Sequence, residues 1–146
     1  MDHYHPTFEL ETYLPYRITR ISDLLTVRLA RQYRKRFGIS VSEWRVLVNL
    51  GYAENVSIRE IERPVSLEKS KVSRTVTKLE AKGLLTKAVD RGDRRLLKLT
   101  LTPEGRAMLR ELTTLAAGFQ AELEAELGPH YAPLVAALDR ITERLR

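Results

Sequence analysis

The helical spacing of apolar residues is interrupted at one place along this 146-residue chain. From Pro15 to Lys82, and again after Thr102, apolar residues recur every three or four positions, which indicates amphipathic helices. Between these regions lie two short β-tolerant runs, residues 84–89 and 96–101. Gly92, between the two runs, supplies the positive φ that a hairpin tip needs. The sequence therefore predicts a helical chain that contains one β-hairpin.

Caps, prolines and glycines predict where the helices begin and end. The first helix runs from Pro15 to about Phe37, and Gly38 follows as a left-handed cap. Capping boxes, in which a Ser and a Glu three positions later bond each other's backbone N–H groups, occur at 40–43 and at 57–60. The first box opens a helix that ends at Gly51, and the second opens a short helix that Pro64 stops. The later helices span 67–82 after the cap Ser66, 103–127 after the cap Thr102, and a last stretch beyond Gly128-Pro129.

Three short helices followed by a hairpin are the order of a winged helix-turn-helix. The predicted fold class is mainly α with a small β-hairpin, namely a winged helix-turn-helix plus a helical dimerisation region. Within one structural domain, residues 1–37 form an N-terminal arm and dimerisation helix, 38–102 the winged helix-turn-helix lobe, and 103–146 the C-terminal dimerisation helices.

The positive charge is concentrated in the middle of the chain. The net charge is +6, and residues 57–100 alone carry twelve bases against six acids, a net charge of +6. The flanking segments carry +2 and −2, so they cancel. This concentration favours a polyanion partner, with nucleic acid as the first candidate. RNA is disfavoured because residues 57–100 contain no Phe, Tyr or Trp for base stacking. A membrane surface is disfavoured because the segment lacks an apolar face beside its lysines.

One face of the predicted helix 67–82 suits the major groove of DNA. Val72, Val76 and Leu79 fall within about 60° of one another and face the core. The opposite side places short hydroxyls among cations. Arg can bind guanine O6 and N7, Ser and Thr can reach bases or phosphates, and lysines mostly contact phosphate. The predicted contacts are Lys69, Ser70, Lys71, Ser73, Arg74, Thr77 and Lys78. The plainer alternative is a solvated helix face.

The hairpin tip is the second predicted contact. Arg91, Arg94 and Arg95 surround the glycine turn, with Asp90 and Asp93 beside them. An arginine on a narrow projection can enter the minor groove, where the potential is most negative. The two acids then orient the arginines by bidentate pairing. The alternative is a turn that only aids solubility.

Three segments together resemble the MarR-type (multiple antibiotic resistance regulator) transcription factors. Residues 67–85 look like the recognition helix of that family, 90–95 like its wing, and 99–105 like its wing exit. The resemblance extends from about residue 13 to 146. Gly92 departs from it, since many members carry Arg there, and Pro64 makes the preceding helix unusually short. The resemblance implies a sequence-specific regulator that binds double-stranded DNA.

The resemblance also implies an obligate homodimer built from the first and last helices. The residues agree, because the last helix carries an apolar seam and is too short to bury it alone. An intrachain hairpin with residues 103–127 is the alternative, and both arrangements can hold. Two-fold symmetry places the recognition helices about one DNA turn apart, roughly 34–36 Å, on an imperfect palindrome. The predicted dimerisation residues are Ile18, Leu134, Leu138, Ile141 and Leu145.

A pocket for a small effector is a further implication of the family resemblance. Many members release DNA when an aromatic or phenolic acid binds between the dimer region and the DNA-binding lobe. Tyr16, Arg17, Trp44 and Arg45 are candidates to line it, since aromatic faces plus a cation suit an aromatic carboxylate. Alternatively, Trp44 belongs to the core and Arg17 to a surface ion pair. Repression is the expected mode, because no segment is left over to contact polymerase.

Several function classes are disfavoured. The chain has no cysteine, so it can form neither a disulfide nor a cysteine zinc site. No apolar run approaches the roughly 18 residues of a membrane span, and the N-terminus lacks a signal-peptide pattern, so a cytoplasmic protein is expected. The three histidines have no catalytic partner in sequence, and no phosphate-binding or dinucleotide motif occurs. We therefore expect neither an enzyme nor a cofactor. The remaining competitor is a dimeric winged-helix scaffold that binds protein.

Overall fold

A computed structural model of the chain describes residues 8–52, 56–57, 69–89, 91–92 and 97–146, with side chains except at 56, 57, 69, 70 and 97. Helices dominate these ranges, and the strands are short. The elements are α1 (Leu14–Phe37), α2 (Val41–Tyr52), β1 (Val56–Ser57), α3 (Lys69–Ala81), β2 (Leu85–Val89), β3 (Leu97–Leu101), α4 (Pro103–Leu127) and α5 (Tyr131–Leu145). The predicted fold class, mainly α with a small β-hairpin, is confirmed.

The predicted caps form where they can be observed. Gly38 ends α1 at φ 65° and donates its N–H to the Arg34 carbonyl at 2.9 Å. The capping box of α2 is complete: Ser40 N–H donates to Glu43 Oε1 and Glu43 N–H donates to Ser40 Oγ, both at 3.2 Å. Thr102 Oγ1 accepts the Gly105 N–H at 3.0 Å in the first turn of α4. The short helix predicted before Pro64 and the cap at Ser66 lie outside the described residues.

The strands form a three-stranded antiparallel sheet in the order β1-β3-β2. The hairpin pairs Leu85 with Leu101 at its base and Val89 with Leu97 near its tip. β1 adds to the other edge of β3, with Val56 opposite Leu99. β1 was not predicted, because two residues are too few to show an alternating pattern. Only Arg91 and Gly92 of the tip are described, so the turn conformation of Gly92 stays a prediction.

The chain divides into two compact units, Met1–Ala107 and Met108–Arg146. The first unit holds most of the buried apolar side chains, which include Tyr33 of α1, the inward faces of α2 and α3, and residues of the hairpin. The inward face predicted for α3 is confirmed, since Val72, Val76 and Leu79 are fully buried. No helix among the described residues combines the length and the hydropathy needed to cross a bilayer.

The second unit exposes the apolar seam of α5. Tyr131, at its start, is half-buried, and its hydroxyl accepts a hydrogen bond from the Gln120 side chain of α4 at 2.9 Å. Further along, Leu134 and Leu138 remain 44% and 43% exposed, and Leu145 is 79% exposed. An intrachain contact with α4 therefore covers the start of α5 and leaves most of its seam open.

The first turn of α4 lies very close to the end of the α3–β2 connection. Leu84 accepts the Thr102 N–H at its carbonyl oxygen at 3.1 Å, and Thr102 Oγ1 donates to the Gly83 carbonyl at 2.6 Å. A Cβ at Gly105 would overlap the Leu84 carbonyl oxygen and lie 3.0 Å from the carbonyl carbon. Only glycine therefore permits this approach of α4 to the hairpin base.

We expect Gly105→Ala to destabilise the protein by about 1–3 kcal/mol, because backbone must move to admit the methyl group. Gly118→Ala is the matched control in the same helix, where a Cβ meets nothing within 4 Å. That change should stabilise by up to about 1 kcal/mol through helix propensity. Urea unfolding at equal protein concentration measures both changes. Equal effects of the same sign would show that the Gly105 contact is relaxed in solution.

Candidate nucleic-acid interface

α3 presents a continuous polar face to solvent. Each predicted contact residue on this helix whose side chain is described is exposed, and these are Lys71, Ser73, Arg74, Thr77 and Lys78. The side chains of Lys69 and Ser70 lie outside the described ones. Thr75 is buried, and its hydroxyl donates to the Lys71 carbonyl at 2.8 Å. The boundary between the core face and the polar face is therefore sharp.

The polar face has two edges with different partners. At about 100° per residue, Thr77 and Glu80 lie within about 60° of each other on one edge. Lys71, Arg74 and Lys78 lie within about 60° of one another on the other edge. We call the first the wing edge, because its residues bond to β2, and the second the cationic edge.

Lys87 of β2 bonds to both residues of the wing edge. Its Nζ donates to Thr77 Oγ1 at 3.0 Å and lies 3.7 Å from Glu80 Oε1. Its backbone N–H donates to Glu80 Oε2 at 3.2 Å. Thr77 in turn donates its hydroxyl proton to the Ser73 carbonyl at 3.0 Å. The predicted contact Thr77 therefore has its proton and one lone pair engaged within the protein, and it retains only its methyl group and the remaining lone pair for a ligand.

The cationic edge differs from the wing edge in its partners. Within the part of the chain that the structure describes, no hydrogen bond or ion pair engages the side chains of Lys71, Arg74 or Lys78. The same holds for the exposed side chain of Arg91 beside the hairpin tip. Unpaired cations close together produce a positive potential that attracts phosphate. This edge is therefore the part of α3 best suited to a polyanion.

Lys82 and Glu43 fix the end of α3. Lys82 Nζ donates to Glu43 Oε2 at 2.6 Å and to the Gly38 carbonyl at 3.3 Å. Glu43 is 5% exposed, and its other carboxylate oxygen accepts the Ser40 N–H. A buried carboxylate is tolerated because each oxygen has a partner. The sequence did not predict this contact, since 39 positions separate the two residues.

The other predicted wing residues cannot be placed. Asp90, Asp93, Arg94 and Arg95 lie outside the described residues, so their contacts stay predictions. The strands on either side of them, β2 and β3, are described, and β2 contacts α3 through Lys87. No three His, Cys, Asp or Glu side chains group as a metal site in the described ranges.

The predicted effector residues lie in two separate places on the first unit. Trp44 and Arg45 are half-buried at the start of α2, and the Trp44 ring stacks on Tyr33 with a centroid distance of 5.8 Å and an interplanar angle of 25°. Tyr16 and Arg17 lie near the start of α1. About 25 Å of helix separates Tyr16 from Tyr33 at about 1.5 Å per residue. Within one chain, the structure does not bring the two pairs together.

Tyr33 is a residue of this region that the sequence reasoning missed. It is 1% exposed, and burial raises its pKa, while Arg45 and Arg34 act more weakly in the opposite direction. No hydrogen bond to its hydroxyl occurs among the described residues. The signal was available, because Tyr33 continues the four-residue spacing of Leu25 and Leu29 in α1.

The comparisons with known proteins agree with this geometry. The MarR family model matches residues 37–96. The HTH-type transcriptional regulator SarZ of Staphylococcus saprophyticus is 24% identical over 107 residues, which are 73% of each chain. A crystal structure of a MarR family transcriptional regulator from Silicibacter pomeroyi matches with a TM-score of 0.83 and 26% identity, over 95% of this chain and 99% of that one. The chain is thus similar to the MarR family of transcriptional regulators, whose family model covers its winged helix-turn-helix residues.

The fold is a winged helix, and the similarities support a DNA-binding transcriptional regulator of the MarR type. BpsR of Bordetella bronchiseptica, whose DNA binding is regulated by 6-hydroxynicotinic acid, shares the fold with a TM-score of 0.80 and 20% identity, over 94% of this chain and 98% of that one. The resemblance inferred from residues 67–85, 90–95 and 99–105 is thus confirmed at the level of the family.

We expect Tyr33→Phe to leave stability at pH 7 unchanged or to raise it by about 1 kcal/mol, because it removes a buried hydroxyl that has no partner among the described residues. The raised pKa of Tyr33 gives a second effect. Above the ordinary pKa of about 10, the unfolded tyrosine loses its proton while the folded one keeps it, so the wild type loses stability as pH rises. The variant lacks that loss, and its advantage should grow in alkali.

Urea unfolding at pH 7 and at about pH 10.5 tests this expectation. Tyr52→Phe is the control, since Tyr52 is 89% exposed and its substitution removes no buried hydroxyl. A destabilised Tyr33→Phe protein at pH 7 would mean that the hydroxyl has a partner in solution.

Proposed function

We propose that this chain is a MarR-type repressor that binds an imperfect palindrome in double-stranded DNA as a homodimer and leaves it when a small aromatic acid binds. The cationic edge of α3 carries the proposal. Its three basic side chains are exposed and, within the described residues, without partners, on a helix whose other face Val72, Val76 and Leu79 fix to the core. A merely solvated helix face gives no reason for the cations without partners to gather on one edge, while Lys82 and Lys87 pair with acids elsewhere.

In the proposed complex α3 enters the major groove. Arg74 lies nearly opposite the buried face, so it reaches deepest and binds guanine O6 and N7. Lys71 and Lys78 lie nearer the rim, where phosphates are in reach. Ser73 and Thr77 offer shorter polar contacts, and Lys69 and Ser70 complete the proposed set. Arg91 and the neighbouring Asp90, Asp93, Arg94 and Arg95 are assigned to the minor groove.

Exposed apolar side chains support the homodimer. On α1, Ile18 is 40% exposed and Leu24 is 60% exposed. On α5, Leu134, Leu138, Ile141 and Leu145 fall within about 60° of one another and form one stripe. Uncovered stripes of this kind mark contacts between chains. A second copy supplies matching stripes, and its two-fold symmetry implies a palindromic operator. A dimer that spans two half-sites represses by covering promoter DNA.

Fluorescence anisotropy tests the DNA proposal with a duplex selected from a random library by the wild-type protein and with a shuffled copy. Arg74→Ala should weaken binding to the selected duplex by about 1–3 kcal/mol and change binding to the shuffled one much less. Lys78→Ala should weaken both equally and lower the salt slope by about 1, as expected for a phosphate contact.

Two outcomes would overturn this assignment. Equal loss on both duplexes for Arg74→Ala would make Arg74 a phosphate contact. A folded wild-type protein that selects no duplex and shows no salt-dependent binding would favour a winged-helix scaffold for protein partners.

The effector part of the proposal rests on the surroundings of Trp44. The stacked Tyr33 and Trp44 rings provide an aromatic face, and Arg45 and Arg34 provide positive charge that acts on the Tyr33 phenol. The buried Tyr33 hydroxyl offers a donor without a partner in the described chain. An aromatic carboxylate complements all three features, and the effector of BpsR belongs to that class.

Trp44 is the only tryptophan of the chain, so its fluorescence reports this site directly. We expect 6-hydroxynicotinic acid or benzoate to change its emission in a saturable way and, over the same concentrations, to lower affinity for the selected duplex by roughly 5- to 150-fold. N-acetyltryptophanamide corrects for light absorbed by the acid. Linkage requires that DNA weaken acid binding by the same factor.

Two arginine variants locate the effector. Arg45→Gln should remove both responses. Arg17→Gln should leave both responses intact if the site lies wholly at Trp44. Loss of the responses in Arg17→Gln would show instead that Tyr16 and Arg17 of a second copy complete the site. Responses that survive Arg45→Gln, or no response to either acid, would contradict an aromatic anion at Trp44.

A further inference from the structure

We propose that Lys87 is a positioning residue that sets the angle between wing and recognition helix, and thereby supports sequence-specific rather than general DNA binding. The inference rests on the proposed DNA-binding function. It concerns a lysine that belongs to the basic central segment but that the assignment of DNA contacts leaves out.

Lys87 is placed to join the two elements that meet DNA. It lies at the centre of β2, opposite Leu99 of β3, so its backbone is fixed by the hairpin pairing. From there its ammonium group reaches Thr77 and Glu80 on successive turns of α3. The Glu80 carboxylate also accepts the Lys87 backbone N–H. The strand is therefore attached to the helix by both main chain and side chain.

The edge position of β2 explains the main-chain contact. In the order β1-β3-β2, one side of β2 has no neighbouring strand among the described elements. An edge strand leaves N–H groups without sheet partners. Glu80 satisfies one of these groups from α3, so the wing meets the helix at a defined register instead of through apolar contact alone.

The electrostatics separate Lys87 from the DNA-contacting cations. Its Nζ lies in an ion pair with Glu80 and its side chain is only 23% exposed, whereas Lys78, on the cationic edge, is exposed and has no side-chain partner in the described chain. A lysine that is already paired releases few counterions when DNA binds. Glu80 is an acid on a helix that approaches phosphates, and its charge lowers DNA affinity unless its structural role outweighs the repulsion.

These facts give opposite expectations for Glu80→Gln. If surface charge alone matters, removal of an acid strengthens binding to every duplex. If Glu80 and Lys87 position the wing, Glu80→Gln weakens binding to the selected duplex. The sign of the change distinguishes the two.

The experiment measures Kd over a salt series for wild type, Lys87→Met, Glu80→Gln and the double variant. Each protein binds the duplex that the wild type selects from a random library, and its shuffled copy. Lys78→Met is the matched control, because it removes a lysine from α3, the helix of Glu80, that has no side-chain partner among the described residues. Circular dichroism and urea unfolding establish that each variant is folded.

We expect Lys87→Met and Glu80→Gln each to lower affinity for the selected duplex roughly 3- to 30-fold, in line with coupling between contacting residues. Affinity for the shuffled duplex should stay the same for Lys87→Met, with an unchanged salt slope. The double variant should be no weaker than the weaker single variant, because both changes break one contact. Lys78→Met should weaken both duplexes and lower the slope by about 1.

Three results would overturn the proposal. Equal weakening of both duplexes by Lys87→Met, with a slope lowered by about 1, would make Lys87 a phosphate contact. Tighter binding by Glu80→Gln would make the acid a simple repulsive charge. Unchanged affinity in both variants would leave the contact without a role in binding. Failure of the DNA-binding proposal itself is recognised separately, because then the wild type selects no duplex.

Discussion

The placement of α3 depends on the buried carboxylate of Glu43. One oxygen completes the capping box of α2 through the Ser40 N–H, and the other accepts the ammonium group of Lys82 at the end of α3. Lys82 also bonds to the Gly38 carbonyl, which ends α1. The Glu43 carboxylate and its partner Lys82 therefore connect the end of α1, the start of α2 and the end of α3. A buried carboxylate without partners is costly, so this arrangement is favourable only when all three segments are in place.

The basic residues on and around α3 fall into two groups, according to whether an acidic side chain of the protein pairs with them. Lys82 and Lys87 have acidic partners inside the protein, whereas Lys71, Arg74 and Lys78 have none among the described residues. The net charge of residues 57–100 therefore overstates what is available to a polyanion. The useful quantity is the number of cations without internal partners, and their position on one edge of α3 gives that charge a direction.

The features that the sequence predicted well are those with local causes. The capping box at Ser40–Glu43, the left-handed Gly38 and the inward face of α3 each follow from residues within a few positions of one another. The contacts that bring distant segments together were not predicted. The partners of Lys82 and Lys87, the stack of Tyr33 on Trp44, and the two-residue strand β1 have no signature in a periodic pattern. The length of α1 was predicted, but the separation of Tyr16 from Trp44 also depends on the Tyr33–Trp44 stack, which was not.

Under the proposed function, the first turn of α2 connects effector and DNA. Trp44, which stacks on Tyr33, directly follows Glu43, which holds Lys82 at the end of α3. An acid bound at Trp44 therefore acts on the same turn that sets the position of the recognition helix. Coupling arises only if the acid binds differently to the DNA-competent and incompetent arrangements. A turn that carries both contacts provides such a difference without a long relay, because a shift that accommodates the ligand also moves the carboxylate of Glu43.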